Sequence, residues 1–342
     1  MARLGDVATY VNGFAFKPSD WSDDGLPIIR IQDLTGNAYQ ANRYNGEYHP
    51  KYEVNDGDVL ISWSASLGVY VWKGEKAVLN QHIFKVVFDK MNIDKSFFVH
   101  QAQSILARAE SEVHGATMKH LTKPIFDALP FYLPDIERQR EIAAVLDKVS
   151  TLISLRKQQL AKLDELVKAR FVEMFGDPIC NSKNLILSPL NDVCTKITDG
   201  THDTPPRYDS GYLLITGKNI RSSGIIFNDI EFVSEEDHKI IYSRCNPEYG
   251  DVLYTNIGVN YGTACYNNLD YEFSMKNVAL LKPNHRIVNG YYLWECLNIM
   301  RNHILSMNQV GGAQTFMGLA TIKKIPIPVP PIELQNQFAT FV

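Results

Sequence analysis

The sequence lacks several features whose absence limits what the chain can do. No uninterrupted apolar run of about 18 residues occurs, so no membrane-spanning helix is expected. The start, Met1-Ala2-Arg3-Leu4-Gly5-Asp6, has no apolar segment of the kind that directs secretion. There are only five cysteines: Cys180, Cys194, Cys245, Cys265 and Cys296. They all lie in the second half, are odd in number and include no Cys-x-x-Cys pair, which argues against a disulfide framework or a zinc site and predicts a reducing cytoplasm. The phosphate-cradling Gly-x-x-x-x-Gly-Lys-Ser/Thr loop is missing, so no ATP site is expected. A methyltransferase would carry a glycine-rich strand-to-helix loop and an Asn or Asp before Pro-Pro and an aromatic. Here the two Pro-Pro pairs, Pro205-Pro206 and Pro330-Pro331, follow Thr204 and Val329. Positive charge is not in excess either. The 34 Lys and Arg against 38 Asp and Glu give −4, which weighs against holding nucleic acid by bulk electrostatics.

What is present is length, a core and a repeat. The 342 residues leave room for two or three domains, and 45% hydrophobic residues supply an ordinary interior. Leu4-Gly5-Asp6-Val7 recurs as Leu190-Asn191-Asp192-Val193, and Gly25 to Leu34 recurs at the same offset as Gly211 to Ile220. Gly57-Asp58-Val59-Leu60 returns as Gly250-Asp251-Val252-Leu253, and Gly115-Ala116-Thr117-Met118 loosely as Gly312-Ala313-Gln314-Thr315. The clearest block, Leu129-Pro130 with Leu133-Pro134-Asp135-Ile136-Glu137-Arg138-Gln139, aligns with Ile325-Pro326 and Val329-Pro330-Pro331-Ile332-Glu333-Leu334-Gln335. Five blocks in conserved order mean two copies of one unit. Formal charge follows the same division: −2 over Met1 to Pro134, zero over Asp135 to Asp177, and −2 over Pro178 to Val342.

Each copy reads as mixed α and β. Runs such as Leu26 to Ile31, Val59 to Trp63, Ala77 to Phe88, Tyr212 to Ile215 and Val278 to Leu281 have the strand signature, and helices are expected near Lys95 to Glu112 and Gly290 to Met307. Between the copies a heptad seam runs through Ile142, Leu146, Val149, Ile153, Leu160, Leu163, Val167 and Met174, interrupted by Arg156 and Arg170. Pro134 precedes it and Gly176-Asp177-Pro178 stops it. Roughly 40 residues at about 1.5 Å each make a helix of roughly 60 Å. The expected fold is α+β: residues 1–134 a first domain, 135–177 a long coiled-coil helix, 178–331 a second domain, and 332–342 a second helix truncated after its first turns.

Candidate chemistry is sparse. The nearest approach to a metal-dependent nuclease is Asp229 with Asp237-His238-Lys239, although Glu235-Glu236-Asp237 also suits a helix start. His202, in Asp199-Gly200-Thr201-His202-Asp203-Thr204, suits a tight turn as well as a ligand. No catalytic residue, metal ligand or bound cofactor is assigned. A binding inventory remains in the turn-rich stretches. In the first copy it is Lys17, Trp21, Ser62, Trp63, Asn80, Gln81, His82, Thr117, Lys119 and His120; in the second it is Thr201, His202, Thr204, Arg207, Lys218, Asn219, Lys276, Asn277 and Thr315. Asn and Gln suit adenine edges, Arg and Lys suit guanine, and Ser and Thr suit phosphates, while each residue taken singly also suits a turn or a cap. Aligned by the repeat, Ser274-Met275-Lys276-Asn277 stands where the first copy has Asn80-Gln81-His82-Ile83.

The duplicated Leu-Pro-x-x-Leu-Pro-x-Ile-Glu-x-Gln junction, carried by Leu129 to Gln139 and Ile325 to Gln335 and leading into a long helix, resembles the specificity subunit of type I restriction-modification enzymes. Gly57 to Leu60, Leu79-Asn80-Gln81, Gly115-Ala116-Thr117 and Thr198 to Pro205 look like the same family's domain pattern. The resemblance covers essentially the whole chain. It implies two target-recognition domains, each reading one half of a split sequence in double-stranded DNA. It also implies paired helices that set the half-site spacing and dock two methyltransferase subunits, with an ATP-driven restriction subunit joining them. S-adenosylmethionine, ATP and magnesium would then sit on those partners, and this chain would be non-catalytic. A stiff helix can hold two readers about one DNA turn, roughly 34 Å, apart. An unpaired seam from Ile142 to Met174 also predicts self-association. The alternatives from other classes are the nuclease acting through Asp229 and Asp237, and a coiled-coil scaffold that binds only protein.

Overall fold

The computed structural model describes residues 2–37, 42–64, 66–112, 122–258, 260–308 and 316–342. Both halves follow one plan. In the first, strands β1 (Thr9–Asn12), β2 (Leu26–Ile29), β3 (Val59–Ser62), β4 (Gly68–Val71), β5 (Ala77–Leu79) and β6 (Ile83–Val87) precede helix α1 (Lys95–Glu112). The antiparallel sheet runs β1-β6-β3-β4, and β2 lies parallel to β5 with Ile28 opposite Val78 and Ile29 opposite Leu79.

The long helix α2 (Ile136–Phe175) follows, and the second half repeats the pattern with β7 (Cys194–Asp199), β8 (Tyr212–Thr216), β9 (Val252–Tyr254), β10 (Ala264–Tyr266), β11 (Ser274–Lys276) and β12 (Ala279–Pro283). Its antiparallel sheet runs β7-β12-β9-β10, and β8 lies parallel to β11 with Thr216 opposite Lys276. Helix α3 (Glu235–Arg244) lies between β8 and β9, and α4 (Gly290–Ile299), α5 (Arg301–Met307) and α6 (Ile332–Phe341) complete the chain. The compact units divide inside α2, as Met1–Lys157 and Gln158–Val342.

Local chemistry explains why the repeated blocks recur. Gly57 and Gly250 have φ of 85° and 93°, a region open to glycine. The following aspartates accept backbone N–H groups, Asp58 from Asn55 at 2.9 Å and Asp251 from Glu248 at 2.8 Å. This turn launches the central strands β3 and β9, whose residues are buried in every position. The first core gathers Leu4, Tyr10, Ile61, Phe84, Phe126 and Phe131 with Phe97 and Phe98 of α1. The second packs Tyr254, Tyr292, Leu293 and Phe338 against Phe171, Met174 and Phe175 of α2. Each such large apolar side chain contributes about 1.5–3 kcal/mol by burial.

Two expected elements divide. The run from Ala77 to Phe88 is two strands, broken at Asn80 to His82, where His82 takes a φ of 72°. The helix expected over Gly290 to Met307 splits at Met300, whose ψ of −5° interrupts the α geometry.

The helical seam is wider than the eight heptad positions. Met174 is buried and Ile142 and Val167 pack half-buried on the two cores, whereas Leu146, Val149, Ile153, Leu160 and Leu163 are exposed. Val145, Leu152 and Leu166 are exposed as well, one position before the heptad row, so an apolar stripe without a cover among the described residues runs along the middle of α2. Among the described residues no helix is long and apolar enough to cross a membrane.

Candidate nucleic-acid interface

The same edge of the fold collects the candidate side chains in both copies. A glycine turn after the first long strand of each sheet presses against the end of the parallel pair. A Cβ on Gly13 would come within 2.0 Å of the Asn80 carbonyl oxygen, and one on Gly200 within 2.1 Å of the Met275 oxygen. That close approach lets Phe14 N–H donate to Leu79 and Thr201 N–H donate to Met275, at 2.8 and 2.9 Å. Gln81 N–H in turn donates to Phe14 and Asn277 N–H to Thr201.

These bonds correct the sequence alignment. Lys276 stands where the first copy has Asn80, and Asn277 where it has Gln81. Gly13 then bonds Ile83 and Gly200 bonds Val278, so the first copy holds one more residue in this turn.

In the second copy the turn brings Thr201, His202, Thr204, Lys276 and Asn277 together. The ring of His202 bridges Asp199 Oδ2 at 2.7 Å and Asn277 Oδ1 at 3.0 Å. The other oxygen of the buried Asp199 accepts from Arg244 at 2.6 Å. Lys276 Nζ donates to Thr204 Oγ1. Beside them opens a cleft of about 390 Å³ walled in part by Arg207, Thr216, Lys218, Glu231, Lys276 and Asn277. Glu231, in the short strand Glu231–Val233, takes Arg207 Nε at 2.6 Å and Lys218 Nζ at 3.0 Å. Burial pushes its carboxyl up, but the Lys218 hydrogen bond and the charge of Arg207 outweigh that and hold it below the usual carboxylate range.

In the first copy Trp63 stacks on Phe84 with centroids 5.6 Å apart, meets His82 edge-on at 5.0 Å, and donates Nε1–H to Asn12 at 3.2 Å. His82 Nδ1 and Asn80 Oδ1 are buried and lack a hydrogen-bond partner among the described residues. Trp21 lies under the Arg30 guanidinium at 5.6 Å, and Arg30 leads out of β2 beside Asn80. Lys17 is exposed at the start of the turn Pro18–Asp20.

Not every candidate joins this surface. Ser62 is fully buried and donates to the backbone of Ser64 and Ser66. Asn219 is fully buried too; its Oδ1 accepts from Thr216 and its Nδ2 donates to Ile226 and Asn228. Both shape turns and offer nothing outward. Thr117, Lys119, His120 and Thr315 lie outside the described residues. Glu231 and Asp199 are not among the basic and amide candidates of the sequence, because acids repel phosphate. No signal in the sequence marks Glu231.

The nuclease constellation is not assembled as such. Asp229 sits in a turn with φ of 52°, while Asp237 accepts the Ser234 hydroxyl at 2.8 Å at the start of α3. His238 is buried, stacked on Tyr212 at 3.8 Å and bonded to Ser274. Among the described residues no three of His, Cys, Asp and Glu are grouped so as to hold a metal ion.

Comparison with known proteins agrees with the duplicated architecture. The chain is 25% identical over 365 residues to the type I restriction enzyme EcoBI specificity subunit of Escherichia coli, covering 98% of this chain and 76% of that one. It is 22% identical over 197 residues to the MjaVIII specificity subunit of Methanocaldococcus jannaschii, covering 56% and 45%. In structure it is similar to a type I restriction-modification S subunit from M. genitalium, with a TM-score of 0.59 at 14% identity over 99% of this chain and 86% of that one. The family described as type I restriction modification DNA specificity domain matches residues 1–165 and again 187–342. The chain belongs to that family and carries its DNA specificity domain twice.

Proposed function

We propose that this specificity subunit reads a bipartite target in double-stranded DNA, one half with residues 1–134 and the other with 178–331, while the helices of 135–177 and 332–342 set the spacing. The observation that carries the reading is the equivalence of the two turn clusters. Phe14 with Asn80 to His82, and Thr201 with Lys276 and Asn277, emerge from the same edge of the same sheet plan. Two weak half-site contacts on one chain add their selectivity through high effective concentration.

The exposed stripe of α2 supports docking of two methyltransferase subunits, with a restriction subunit joining that assembly. Catalysis, and with it S-adenosylmethionine, ATP and magnesium, would then reside on the partners. Without them the stripe would drive self-association, read as a mass that rises with concentration in light scattering. The mild acidity is compatible with this reading, because cations at the turn clusters meet phosphates locally and partners add the rest.

The test uses the complex reconstituted with methyltransferase subunits. Arg207→Ala and Lys276→Ala should each weaken binding to target DNA and change the slope of log affinity against log salt by about one where a phosphate contact is lost. Unchanged affinity and slope in both would sink the assignment of this surface.

A further inference from the structure

The cleft of the second domain has an acid where a surface for phosphates should have none. Glu231 pairs with its neighbour strand through the backbone, opposite Leu214, and that ladder does not use its carboxylate. The side chain stands in the cleft wall and is 29% exposed. A carboxylate there repels a polyanion, so on phosphate neutralisation alone it is a liability. Its geometry suits a different task. Arg207 is held at Nε by Glu231 and at Nη1 by the Pro205 carbonyl, 2.8 Å away, which leaves three of the five guanidinium N–H groups uncommitted by those bonds. Lys218 is held by the other carboxylate oxygen, and Lys276 is tethered to Thr204. Each of the three cations along the cleft thus has a partner within the fold that orients it.

A guanidinium fixed in advance loses less freedom on forming a bidentate pair. Donors alone match the major-groove edge of guanine, which offers only the N7 and O6 acceptors. We infer that Glu231 is a specificity-determining positioning residue: it aims Arg207 and Lys218 at a guanine edge in the half-site read by the second domain, so that they select a base instead of merely neutralising phosphate. This rests on the DNA-reading role proposed for the second domain.

The experiment compares Glu231→Gln, Glu231→Asp and the double variant Arg207→Ala/Lys218→Ala in the full complex with methyltransferase subunits. Modified adenines are sequenced genome-wide, and affinities are measured for target DNA, target DNA with that guanine replaced, and unrelated DNA. Glu231→Gln should lower discrimination at one guanine of one half-site by roughly 5- to 100-fold, while affinity for unrelated DNA holds or rises. Glu231→Asp should recover part of the discrimination.

Three outcomes would overturn the inference: unchanged discrimination in Glu231→Gln, loss spread over both half-sites, or loss matched by a lower melting temperature. If the double variant changes the motif and Glu231→Gln does not, positioning fails and DNA reading by the cleft stands. If neither changes it, the reading role of the cleft fails as well.

Discussion

Gln139 Oε1 accepts the backbone N–H of Asp94 at 2.9 Å, and its Nε2 donates to the Pro134 carbonyl at 2.8 Å, so one buried amide ties the start of α2 to the start of α1. Gln335 repeats the joint, accepting from Asn289 N–H at 2.8 Å and donating to Pro330 at 2.8 Å. Removing either side chain strips a part-buried backbone N–H and at least one backbone carbonyl of that partner. Gln139→Ala and Gln335→Ala should each cost about 1–3 kcal/mol in urea unfolding. Changes below about 0.5 kcal/mol in both would show that the joint is redundant.

This joint also explains why so much of the architecture is legible in the sequence alone. The blocks that recur, Gly57-Asp58 with Gly250-Asp251 and the two Ile-Glu-x-Gln junctions, are the turns and clamps that the fold needs twice. The helix over Lys95–Glu112 and the long helix Ile136–Phe175 were legible from periodicity and stop signals, because neither depends on distant partners for its identity. The site was less legible, because its residues are those that do not recur. Lys276 stands two positions from its place in the sequence alignment, because only the hydrogen bonds to Thr201 and Phe14 fix the register of that turn. Asn219 and Ser62 have the composition of readers but are buried, and burial is a tertiary fact.

Asp147, on α2, accepts from Ser96 Oγ at 2.7 Å and lies 2.8 Å from His100 Nε2. The hydrogen bonds from Ser96 and His100 hold its carboxyl below the usual range. A carboxylate depressed in the folded state contributes stability above its unfolded pKa of about 4 and loses it as pH falls through the folded value. Because Asp147 is half exposed, the effect stays under about 1 kcal/mol. Asp147→Asn should therefore lose less stability than the parent as pH falls below about 4, read by urea titrations at stepped pH. Parallel losses in both would contradict the clamp.

Along α2, surface and core positions should separate cleanly. Leu160→Ala with Leu163→Ala, both at exposed sites, should change the stability of the chain alone by no more than about 0.5 kcal/mol per site. The same pair should reduce co-purification with methyltransferase subunits. Phe171→Ala, at a fully buried site stacked on Tyr292, should instead cost about 3–5 kcal/mol. Undiminished assembly by the leucine pair would remove the stripe from the docking account.

The central claim is that each domain reads its own half of the target. Sequencing modified adenines after co-expression with the methyltransferase partner, for the parent chain and for a chain whose residues 1–134 come from another family member, tests it most directly. The account predicts that one half of the modified motif changes while the other half is retained. A motif altered in both halves, or in neither, would contradict it.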